Sequence, residues 1–124
     1  MEKRITQRTP ETQTKYEAFR KTPECAIPFF WDRAKIVKEY TYWRIVENDF
    51  PYDTMWERHY MLAPIRKVTA HRELTEEEKK EFLKIKESEF MAQFDQFLEN
   101  MGETRTMPGH LHYHLGRLFR VDDL

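Results

Sequence analysis

The chain has 124 residues, of which 35% are charged, with a formal net charge of −1, three glycines and a single cysteine. That length suits one domain with a real core and no need of disulfides or a structural metal, and Cys25 alone excludes an internal disulfide. The near-neutral charge excludes a global field that would gather nucleic acid or an anionic membrane surface.

No apolar run approaches the about 18 residues that a membrane span needs. Residues 1–14 are polar and carry no apolar signal core. The expectation is a cytoplasmic or virion-associated protein with neither membrane nor nucleic-acid partner. No repeat or composition break divides the chain. Residues 1–9 read as a flexible N-terminus and residues 10–124 as one domain.

Thr9-Pro10-Glu11 reads as a helix start, with Thr as N-cap, Pro at the first helical position and an acid in the first turn. Tyr16, Phe19 and Arg20 follow at helical spacing, and Pro23 ends the segment. Cys25 to Trp31 is apolar but broken by Pro28, so it reads as an irregular packed connection. Lys35 to Tyr42 and Trp43 to Glu47 are rich in strand formers. Asn48-Asp49-Phe50-Pro51-Tyr52-Asp53 is a loop, and His59 to Pro64 is a further strand.

Thr75-Glu76-Glu77-Glu78 has capping-box spacing. Phe82, Ile85, Phe90, Phe94, Phe97 and Leu98 then predict one long helix, ending near a C-cap at Asn100-Met101-Gly102. Glu103 to Met107 and His110 to Leu118 read as a final pair of strands. The fold class is therefore α+β: a mostly antiparallel sheet of about five strands with an N-terminal helix and one long helix.

The densest chemistry lies in His110-Leu111-His112-Tyr113-His114-Leu115. A strand has a side-chain period of two, so an extended segment puts all three imidazoles on one face and Leu111, Tyr113 and Leu115 on the other. Three of the five histidines are spent there. Burying such a row as plain core is costly, because each ring carries polar atoms that need partners. The pattern points to a site. A single metal fits poorly, since alternate ligands on a flat strand span about 13 Å end to end at ~3.3 Å per residue. No metal and no cofactor is expected.

This triad resembles the signature of the histidine-triad (HIT) superfamily of nucleotide hydrolases and transferases. Asn48-Asp49-Phe50-Pro51-Tyr52 resembles that family's nucleotide-binding turn. His59-Tyr60-Met61-Leu62-Ala63-Pro64, with Arg66 and Lys67 after it, resembles the following strand. Glu73-Leu74-Thr75 matches the entry to the main helix, and Asn100-Met101-Gly102 an Asn-containing segment before the triad. The likeness covers about residues 25 to 118.

The resemblance implies that His112 attacks the α-phosphorus of a nucleoside phosphoramidate or related nucleotide conjugate. A covalent nucleotidyl-imidazole forms, and water resolves it. The ring nitrogen opposite the attacking one should donate to a fixed acceptor such as a backbone carbonyl. His110 and His114 would hydrogen-bond the phosphate and protonate the leaving group. Asn48 would hold the ribose beside Asp49, and Phe50 or Ile45 would sandwich the base. The family also implies a homodimer.

The chain departs from the pattern before the triad, at Thr104-Arg105-Thr106-Met107-Pro108-Gly109, where Gln and Ser donors are usual. Met107 cannot donate and Pro108 has no N–H, which leaves Arg105, Thr106 or the Gly109 amide as substitutes. That departure keeps a second reading open, a nucleotide-binding or scaffold protein that turns over poorly. His59 has two readings, a phosphate contact or a satisfied half-buried histidine. Asn48 is a ribose ligand or only a turn residue. His71 reads as surface, and Asn100 as a cap.

Overall fold

The computed structural model describes residues 6–23, 35–101 and 109–121. Helix α1 spans Pro10–Arg20. The strands are β1 (Ile36–Glu39), β2 (Trp43–Glu47), β3 (Trp56–Pro64), β4 (Gln96–Leu98) and β5 (Tyr113–Leu118). Helix α2 spans Glu76–Lys86 between β3 and β4. The strands form one five-stranded sheet in the order β1-β2-β3-β5-β4, antiparallel at every pairing. Among the described residues no helix is long and apolar enough to cross a membrane.

Register sorts the two faces of the sheet. Ile45 opposes Leu62, which opposes Tyr113, and Tyr60 opposes Leu115, which opposes Phe97. Paired residues of an antiparallel ladder project to one side, so these line the core face. Trp43, Ile45, Leu62, Tyr113 and Leu115 pack there with Phe82 and Ile85 of α2. The Phe82 ring lies 5.2 Å from Trp43 and 5.1 Å from Tyr113. Val46, Met61 and His114 oppose one another on the other face, and His59 opposes Gly116.

Both helix starts form as their sequences predict. Thr9 caps α1, and Thr75 with Glu78 closes a reciprocal capping box on α2. Glu78 is buried, and Arg66 donates to it at 2.8 Å. Burial alone would raise the Glu78 pKa, but the Arg66 and Thr75 hydrogen bonds hold it below the usual carboxylate value.

Four expectations need correction. The long helix is short: α2 ends at Lys86, a 3₁₀ turn covers Glu89–Gln93, and Gln96–Leu98 is a strand. Phe90 and Phe94 therefore pack from the turn, and Phe97 from a strand whose ring stacks on Tyr113 at 5.0 Å. Asn100 is accordingly no helix cap. Pairing in β5 begins only at Tyr113, so His110 and His112 precede the ladder. β3 starts at Trp56, three residues before the predicted start at His59.

Of residues 1–9, set apart by sequence as flexible, Gln7, Arg8 and Thr9 hydrogen-bond to the 50–54 turn. Asp53 accepts the Thr9 N–H at 2.8 Å and the hydroxyls of Thr9 and Thr12. Thr54 donates to the Gln7 carbonyl, and Arg8 Nε donates to the Phe50 carbonyl at 2.7 Å.

Candidate active site

The site lies on the sheet face opposite α2. His114 enters it from β5 and His59 from β3, two register steps apart in the ladder with the Tyr60–Leu115 pair between them. All three triad imidazoles and His59 are buried. The His112 and His114 rings meet edge to face at 4.9 Å. Gly116, opposite His59, permits this packing: a Cβ there would lie 1.9 Å from Trp56 Cε2. Trp56 meets the His59 ring at 4.9 Å, and Tyr52 lies 4.4 Å from His59 and 4.9 Å from His114.

Partner chemistry assigns the tautomers, because a carbonyl only accepts and an amide N–H only donates. His112 Nδ1 donates to the His110 carbonyl at 2.9 Å, which puts the lone pair on Nε2. His110 Nε2 donates to the Pro64 carbonyl at 3.0 Å. The Tyr52 backbone N–H donates to His59 Nδ1 at 3.0 Å, so the His59 proton sits on Nε2. That nitrogen donates to His114 Nδ1 at 2.7 Å. His114 then carries its own proton on Nε2, 3.4 Å from Tyr52 Oη, which also receives Asn100 Nδ2 at 2.7 Å.

Neutral rings suit this network. Burial, then the charge of Arg8 and the neighbouring His112, push His59 down to about 3. Burial lowers His110 to about 4, outweighing the opposing Pro64 hydrogen bond. Burial, His112, His59 and Arg8 lower His114 as well. All three are uncharged at neutral pH.

The remaining residues singled out from sequence are placed unequally. Asn48 forms an Asx turn, accepting the Phe50 N–H at 2.8 Å, and its Nδ2 lies 3.3 Å from His59 Nε2. Asp49 is exposed in that turn. Phe50 packs against α1, with ring centroids 5.3 Å from Tyr16 and 5.1 Å from Phe19. Ile45 is fully buried on the core face, so it cannot sandwich a base at this site; Val46 holds the equivalent place on the histidine face. Gly109 is exposed, with open space around a would-be Cβ. Arg105, with Thr106, Met107 and Pro108, lies outside the described residues, as does Cys25. His71 is exposed as expected, although its Nδ1 lies 3.0 Å from Tyr113 Oη.

Sequence reasoning missed the supporting shell: Tyr52, Trp56 and Asn100 around the His59–His114 pair, and Arg8 on Tyr52. Arg8 is 7% exposed, and its guanidinium lies 4.1 Å from the Tyr16 ring centroid and 5.0 Å from that of Tyr52. The aromatic residue after Pro51 was the one local hint, since a Pro-turn aromatic must bury its ring somewhere. Arg8 had none.

The fold is similar to that of a HIT family hydrolase from Clostridium thermocellum. The TM-score is 0.51 at 19% sequence identity, over 82% of this chain and 95% of the other. No protein-family model and no curated protein matches the chain. The chain therefore has a HIT-like α+β fold, and its chemistry rests on the residues themselves.

Proposed function

We propose that this protein is a nucleotide hydrolase or nucleotidyl transferase with His112 as the nucleophile. One observation carries the reading: the bond from His112 Nδ1 to the His110 carbonyl selects the tautomer with its lone pair on Nε2. A neutral imidazole of that tautomer is a competent nucleophile near pH 7. Its Nε2 attacks the α-phosphorus of a nucleoside phosphoramidate or related conjugate, and the bond to the leaving group breaks. Water then attacks the nucleotidyl-imidazole and releases the nucleotide. His114 contributes by packing edge to face on the His112 ring, while its own Nε2 faces Tyr52 and Asn100. The HIT-like fold supports the same reading.

The test is mononucleotide release from nucleoside 5′-phosphoramidates and dinucleoside polyphosphates by wild type and His112→Ala. Loss of the nucleophile should cost on the order of a thousandfold or more. Equal release by both proteins would refute the assignment.

A second reading has its own observation. The N–H of His110 goes to Pro64, and that of His114 points at Tyr52. Neither is left to protonate a leaving group, which favours a nucleotide-binding protein with slow turnover. Nucleotide binding without release from any substrate in the panel would select it.

A further inference from the structure

We infer that Arg8 supplies the fixed positive charge that holds a phosphate oxyanion of the ligand one aromatic ring away from the His59–His114 pair. The inference deepens the nucleotide reading above and rests on it for the ligand class.

Arg8 is a buried cation whose hydrogen bonding is incomplete. Its Nε is tied to the Phe50 carbonyl, and its plane rests on Tyr16 and Tyr52. A cation on an aromatic face gains electrostatic attraction, but the rings offer the two Nη groups no acceptor. Among the described residues no carboxylate pairs with it. The nearest candidate is Asp53, whose oxygens already accept from Thr9 and Thr12. The Nη groups are not among the enclosed polar atoms that lack a partner, so they face solvent and are open to a ligand. Burial pulls the Arg8 pKa down, with Tyr52, Tyr16 and Asp53 opposing, yet a guanidinium stays charged throughout the working range.

The ring beneath Arg8 is the one that touches both histidines: Tyr52 lies 4.4 Å from His59 and 4.9 Å from His114. The histidines are neutral, so they bring no positive charge to an anion. Their N–H groups are also committed to protein acceptors. Among the described residues Arg8 is the cation whose charge reaches both His59 and His114, whereas Lys67 acts on His110. The geometry of the paired Arg8 Nη groups matches two oxygens of one phosphate.

The test uses inorganic phosphate as the probe and acetate as a carboxylate control, at constant ionic strength. The proteins are wild type, Arg8→Gln and His112→Ala. Phosphate should raise the melting temperature of wild type and His112→Ala. Its affinity for Arg8→Gln should be at least about tenfold weaker, as expected for loss of a charge-assisted pair. Acetate should have no comparable effect. Should Arg8→Gln fail to fold, the Arg8 Nε–Hε resonance of the wild type should shift saturably as phosphate is added. Equal phosphate affinity in wild type and Arg8→Gln, an equal response to acetate, or a stationary Arg8 resonance would overturn the inference. None of these readouts needs turnover. Loss of the hydrolase reading through an active His112→Ala would therefore be told apart from loss of the Arg8 site.

Discussion

His59 Nε2 sits 2.7 Å from His114 Nδ1, and the direction of that bond is set from outside the pair. The Tyr52 backbone N–H claims His59 Nδ1, so the proton between the two rings belongs to His59. A backbone amide in the 48–55 turn thus dictates the tautomer of His59 on the adjoining strand β3 and, through it, that of His114 on β5.

Acid should destabilise the fold early. His59 and His110 hold pKa values of about 3 and about 4 against an ordinary 6.5, chiefly through burial, and His114 is lowered too. Each is harder to protonate folded than unfolded. Their contribution is whole above pH 6.5 and is lost as pH falls from 6.5 towards the folded values. Each group adds a slope of about 1.4 kcal/mol per pH unit within its window. Asp53, where burial opposes but the Thr12 and Thr9 hydrogen bonds prevail, lies below the usual carboxylate value and so acts at lower pH. Urea midpoints measured from pH 8 to pH 5 should fall below pH 6.5; a flat profile there would contradict buried neutral histidines.

Tyr52→Phe should remove the acceptor of Asn100 Nδ2 and leave His114 Nε2–H facing a hydrocarbon edge. An unsatisfied buried donor costs about 1–3 kcal/mol. Equilibrium denaturation reads the loss, and a change under about 0.5 kcal/mol, the size of a neutral surface substitution, would mean the hydroxyl has no structural part.

Gly116→Ala should be among the most damaging single-methyl additions in this chain. The new Cβ would overlap the Trp56 indole at 1.9 Å, and that ring is wedged between Tyr52 and His59. Overpacking of this kind costs about 1–3 kcal/mol. Trp56→Leu in the same chain should recover part of it, which a thermal melt of the single and double variants would reveal.

Asp53→Ala should loosen α1 and leave the sheet intact. The carboxylate ties the Thr9 backbone and the Thr9 and Thr12 hydroxyls to the turn, and α1 buries none of its own residues. Amide exchange should quicken over residues 10–20 while β3 and β5 keep their protection. Uniform acceleration across the sheet would instead make α1 part of the global folding unit.

What was legible in the sequence was what is encoded locally. The Thr9 cap and the Thr75–Glu78 capping box use residues within one turn of each other, so spacing alone reveals them. The histidine alternation is equally local, although its period of two runs two histidines beyond the paired strand. The long helix was misread because Phe90, Phe94 and Phe97 keep helical spacing and no Gly or Pro interrupts residues 76–100. The helix stops at Lys86 for a reason spacing does not carry: Gln96–Leu98 gain ladder partners on β5. Arg8 lies further still from any local rule, 42 residues from the carbonyl that holds it.

The position of β5 has a consequence for how the chain is made. Among the described strands it comes last in sequence, yet it sits inside the sheet between β3 and β4. Until residues 113–118 leave the ribosome, β3 presents an open edge and β4 has no neighbour to pair with. An unpaired apolar edge such as Met61-Leu62-Ala63 invites association with other chains. Insertion of the strand that carries His114 therefore assembles the histidine face in the same step that closes the sheet.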